Sequence, residues 1–98
     1  MAMTASMIEN REGSPFRVYF KHNQTLIELK FSDHKMRVEE VIEKSIGVLS
    51  DIYMLRLNTN TQMYALYQSN REGHKIKDAI EISHNQRVRS VGGKRFFL

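Results

Sequence analysis

The sequence predicts an α+β domain in which a mixed sheet packs on one amphipathic helix, in the order β-β-α-β-β-β. Two neighbouring runs carry apolar residues at every second position, one stretch carries them at helical spacing, and shorter β-prone runs follow between polar turns. At 98 residues this is one domain, which on folding buries about 60 to 65% of its unfolded surface. That supports one modest core and leaves little room for an enclosed active site. The composition, 41% hydrophobic and 27% charged, belongs to a folded module rather than a disordered or membrane chain.

Residues 1–15 show no sustained period and close on Gly13, Ser14 and Pro15, so they are expected to form a flexible leader. From Phe16 onward, Phe16, Val18 and Phe20 alternate with Arg17, Tyr19 and Lys21, the period of a half-buried strand. The polar break His22, Asn23, Gln24 leads into a second alternation, with Ile27, Leu29 and Phe31 on one face and Leu26, Glu28 and Lys30 on the other. So short a break predicts a β-hairpin. Over residues 36–49 the period lengthens: Val38, Val41, Ile42, Ser45, Ile46 and Leu49 form one apolar helical face, and the covering helix is expected here. Glu39 and Glu40 suit the positive end of its dipole, and Gly47 is expected to cap its C-terminus. Three further strands are expected at residues 52–57, 62–67 and 79–82.

The net charge is +4, but the location of the charge matters more than its size. Residues 1–82 hold eleven Lys or Arg and eleven Asp or Glu, whereas residues 83–98 hold Arg87, Arg89, Lys94 and Arg95 with no acid. A neutral body with a basic tail argues against nucleic acid as the partner, although Phe96 and Phe97 beside those cations are the residue types that stack on bases. With no cysteine there is no disulfide framework, thiolate nucleophile or Cys-ligated zinc. No apolar run is long enough to span a bilayer, the N-terminus lacks the pattern of a signal peptide, and Ala2 stands where myristoylation needs glycine. The expectation is a cytoplasmic or nuclear protein without membrane insertion.

The stretch Val41-Ile-Glu-Lys-Ser-Ile-Gly-Val48, followed by Tyr53-Met-Leu-Arg-Leu57, resembles the helix, glycine cap and third strand of ubiquitin-like (β-grasp) domains, over about residues 16–82. Leu55-Arg56, Met63-Tyr64, Asn70-Arg71 and Ile76-Lys-Asp-Ala-Ile80 resemble the second half of the N-terminal ubiquitin-like Ras-binding domain of ELMO-type engulfment adaptors. Such a resemblance implies docking of a small GTPase or similar signalling protein through a basic strand and helix start. The carry-over positions are Arg17, Lys21, Lys30, Lys35 and Arg37. The plainer reading of these cations is a solvated face whose lysines protect a sheet edge.

Gly73-His-Lys-Ile-Lys-Asp78-Ala-Ile-Glu-Ile82 resembles the end of SUMO-type modifiers, which implies processing after Gly93 and conjugation through the Gly92-Gly93 carboxylate. Where those modifiers carry Phe-x-Phe-Asp-Gly, this chain has Leu55-Arg-Leu-Asn-Thr59. The residues themselves leave other readings of Gly92-Gly93 open: the turn of a hairpin added by the basic tail, residues 83–98, or a flexible junction.

His22, His34, His74 and His84 lack metal-ligand spacing, and no nucleophile elbow, phosphate loop or zinc motif appears. Met36, Met54 and Met63 are read as core filling or chance rather than as an adaptable binding surface. The chain is expected to bind a protein, without catalysis, cofactor or small-molecule substrate.

Overall fold

The computed structural model describes the backbone of residues 2–7 and all of residues 15–98. Strand β1 is Ala2–Met7, β2 is Phe16–His22, β3 is Thr25–Phe31, and helix α1 is Val38–Asp51. A 3₁₀ turn at Thr61–Met63 precedes β4, Tyr67–Gln68, then a short helix α2, Val88–Val91, and β5, Arg95–Phe97. The molecule is α+β with one mixed sheet and one main helix, and the strand order is β1-β3-β2-β5-β4.

The β2-β3 hairpin follows from local chemistry. His22 pairs with Thr25, so the connection is only Asn23-Gln24, and Asn23 takes a φ of 56°. Two-residue hairpin turns need positive φ, and asparagine tolerates it better than most side chains. The alternation then does the rest. Phe16 and Val18 of β2 and Ile27, Leu29 and Phe31 of β3 are buried toward α1, while Arg17, Tyr19, Lys21, Leu26, Glu28 and Lys30 share the other face.

Helix α1 presents Val38, Val41, Ile42, Ser45, Ile46, Val48 and Leu49 to the core. Its first turn holds Glu39 and Glu40, and the Glu40 carboxylate accepts a hydrogen bond from the Arg37 amide at 3.3 Å. Gly47 does not end the helix as expected. The helix runs past it to Asp51, and the amide of Ile52 closes it by donating to the Val48 carbonyl at 2.9 Å. One glycine costs a helix only about 1 kcal/mol, less than the apolar face of α1 returns by burial.

The loops entering the two helices brace each other. The Val38 and Glu39 amides donate to the carbonyls of Gln86 and His84 at 2.8 and 3.0 Å, while the Val88 and Arg89 amides donate to those of Met36 and His34, both at 2.9 Å. The first amides of a helix have no partner within it. Here each helix start borrows carbonyls from the loop that precedes the other, and Arg37 and Arg87 form the β-bridge between them.

The second half departs most from expectation. Residues 52–57 keep the alternation of a strand, with Tyr53, Leu55 and Leu57 half-buried against the core and Ile52, Met54 and Arg56 exposed, but they join no ladder. Of the strand expected at 62–67, the first part is the 3₁₀ turn and only Tyr67, with Gln68, enters the sheet. The strand expected at 79–82 is a single bridge, Leu66 to Ile82. The domain also exceeds the 16–82 body at both ends. Residues 2–7 of the leader form β1, paired in parallel with β3; residues 1 and 8–14 lie outside the described residues. The basic tail is neither a loose end nor an added hairpin, because Val88–Val91 is helical and β5 lies between β2 and β4, parallel to the first and antiparallel to the second.

The core centres on three phenylalanines drawn from three strands. Phe16 stacks on Phe31 with centroids 5.4 Å apart and meets the edge of Phe96 at 5.8 Å. Phe96, near the end of the chain, is 1% exposed.

Candidate protein-docking surface

Sheet register decides which of the predicted cations lie together. Arg17 of β2 pairs with Lys30 of β3 on one side and with Arg95 of β5 on the other. Directly paired residues point to the same face. Lys30, Arg17 and Arg95 therefore form a row across three strands, on the face opposite α1. Neighbouring strands are about 4.8 Å apart, so the row spans roughly 10 Å.

Within the row, Arg17 forms an ion pair with Glu28, whose side chain is half-buried. Among the described residues, the row sets Lys30, Arg17 and Arg95 beside the Glu28 carboxylate. The Arg95 Nε is buried without a hydrogen-bond partner, which leaves a cationic donor unsatisfied inside the row.

The other predicted cations are elsewhere. Lys21 sits at the hairpin end of β2, paired with Leu26, about 14 Å along the strand from Arg17. That exceeds the roughly 8 Å screening length at physiological salt, so it adds little to the row's field. Lys35 and Arg37 lie in the loop entering α1. The Lys35 carbonyl accepts from the Arg87 guanidinium at 2.7 Å, and the Arg37 guanidinium donates to the Asn85 carbonyl at 3.2 Å. Arg37 thus serves the brace between the helix starts. The expected surface of five resolves into a pair in the row, one outlying lysine and a separate loop cluster.

Sequence reasoning missed Arg95, and with it the row. The signal was the acid-free stretch 83–98, but without the register nothing linked it to Arg17. It also missed the neighbouring row of Tyr19, Phe97 and Tyr67, from β2, β5 and β4. Tyr67 carries the Lys75 ammonium 4.7 Å from its ring centroid. Tyr19 is only 6% exposed, because the loop through Gly73 lies across it. A Cβ built on Gly73 would fall 2.7 Å from Tyr19 Cδ1 and 2.6 Å from Leu26 Cδ2.

Gly92 and Gly93 have φ values of 77° and 83° and connect α2 to β5. Cleavage after Gly93 would remove residues 94–98, and with them the strand between β2 and β4. Both ends of that strand are fastened to β2: the Arg17 amide donates to the Lys94 carbonyl at 2.7 Å and the Leu98 amide to the Tyr19 carbonyl at 2.9 Å.

Among the described residues no group of three or more His, Cys, Asp and Glu is placed to hold a metal ion, and no helix is long and apolar enough to cross a membrane. An open depression near the end of α1, lined by Lys44, Gly47, Val48, Asp51 and Ile52, offers no convergent set of polar groups. Comparison with protein-family models, curated proteins and solved structures finds no match to this chain.

Proposed function

We propose that this chain is a ubiquitin-like (β-grasp) interaction domain that docks an acidic surface of a signalling protein, a small GTPase being the best fit, and performs no chemistry of its own. The observation that carries this reading is the row Lys30, Arg17, Arg95 on the helix-free face. The fold assignment is supported by a hairpin followed by one covering helix, and by a late strand, β5, inserted parallel to the first hairpin strand. The modifier alternative gains no support, since Gly92 and Gly93 precede a core strand instead of following the last one.

A surface of this kind acts mainly on encounter. Complementary charge raises association rates and fixes orientation more than it adds affinity. Lys30→Glu is expected to slow association with a GTP-loaded small GTPase about tenfold at low salt and to leave dissociation nearly unchanged. Lys77→Glu, an exposed lysine in the 75–82 segment, makes the same change in net charge and is the control. Stopped-flow association of both variants at two salt concentrations decides the matter, and equal rates for the two would remove the row from the account.

A further inference from the structure

Strand β3 has two neighbours of unequal quality. Against β2 it makes a seven-residue antiparallel ladder with a tight turn; against β1 it makes six parallel pairs, from Ala2 opposite Leu26 to Met7 opposite Phe31. Parallel pairing is slightly weaker per residue. The β1 sequence, Ala-Met-Thr-Ala-Ser-Met, has one β-branched residue and no aromatic, a composition of low strand propensity. In the sheet, β1 stands at the edge, with β3 as its neighbour. It lies two strand spacings, about 10 Å, from β2, while the eight residues between Met7 and Phe16 can reach roughly 26 Å.

Without β1, β3 would be a bare edge. An unpaired row of amides and carbonyls seven residues long is a ready template for another strand. That edge adjoins the basic row, since Lys30 belongs to β3 and is opposite Ser6 of β1.

We propose that β1 is a resident strand masking the β3 edge, and that an acidic partner presenting its own extended strand displaces it and pairs with β3 beside Lys30. This rests on the docking function proposed above and adds to it a closed state in which the edge is occupied. Strand addition supplies main-chain hydrogen bonds, and the basic row selects an acidic bearer.

The test uses the full chain and a Thr4→Pro/Ala5→Pro variant. Adjacent strand residues direct their amides to opposite sides, so one of the two prolines removes a donor facing β3 whatever the phase. Amide hydrogen exchange is expected to show protection lost at alternate residues of β3 in the variant and retained in β2 and β5. A synthetic peptide of residues 1–9, titrated at up to millimolar concentration, is expected to restore that protection and to bind the variant at least tenfold more tightly than the wild-type chain. Failure of the peptide to bind the variant, or equal binding to both chains, overturns the proposal. So does loss of protection throughout the variant, which would make β1 an integral part of the fold. A GTP-loaded small GTPase that binds the wild type should bind the variant about tenfold more tightly, and equal affinity also overturns masking. A GTPase panel that binds neither chain counts against the docking function, and the peptide arm still decides the masking.

Discussion

A chain truncated after Gly93 is expected not to fold. Loss of residues 94–98 removes β5 from between β2 and β4 and takes away Phe96, which is 1% exposed against Phe16. Truncating one buried phenylalanine to alanine costs about 3 to 5 kcal/mol, and a domain of this size has about 5 to 15 kcal/mol in total. The deletion also strips the backbone partners of Arg17, Tyr19 and Ser69, whose amide donates to the Arg95 carbonyl at 3.0 Å. Buried backbone groups left unpaired cost about 1 to 3 kcal/mol each. Urea denaturation followed by circular dichroism should show a cooperative transition for the full chain and none for the truncated one. A truncated chain with an unchanged midpoint would detach β5 from the core and restore Gly93 as a processing site.

Gly73→Val is the point substitution expected to cost most outside the core. Gly73 has a φ of 86°, and its missing Cβ is the space occupied by Tyr19 and Leu26. A side chain in left-handed backbone costs about 1 to 2 kcal/mol, and overpacking adds about 1 to 3 kcal/mol. The combined loss is about 2 to 5 kcal/mol, seen as a lower urea midpoint at unchanged slope. Gly92→Ala separates the two causes. Gly92, at φ 77° and ψ 171°, lies in a backbone region essentially reserved for glycine, but nothing lies within 4 Å of its Cβ position, so only the backbone cost of about 1 to 3 kcal/mol applies. A Gly73→Val loss no larger than the backbone cost of about 1 to 2 kcal/mol would mean that the loop does not press on Tyr19.

What the sequence made legible was local. The hairpin was visible because strand alternation and the asparagine turn both act over a few residues, and α1 was visible because its apolar face repeats through four turns. The C-terminal strand was hidden for the opposite reason. Arg95, Phe96 and Phe97 are too few to show a period, and their place beside β2 depends on contacts nearly eighty residues away in the chain. Residues 52–57 mark the limit from the other side: the run reads as a strand, and Tyr53, Leu55 and Leu57 do pack against the core, but the run joins no ladder. Likewise, the six pairs of β1 come from partner geometry rather than from any pattern in Ala-Met-Thr-Ala-Ser-Met. Of the cationic row, Arg17 and Lys30 were carried over from the resemblance to Ras-binding domains, whereas Arg95 and the ion pair of Arg17 with Glu28 appear only once the register is known.

On the proposed function, the helix-free face receives an acidic protein at Lys30, Arg17 and Arg95. Chemical-shift mapping of the isotope-labelled full chain, titrated with a small GTPase bearing a non-hydrolysable GTP analogue, tests it most directly. Saturable shifts are expected centred on Lys30, Arg17 and Arg95, fading toward Lys21 and absent from the exposed face of α1 at Glu43 and Lys44. Shifts centred on the α1 depression around Lys44 and Ile52, or none with any GTPase across a panel, would contradict it.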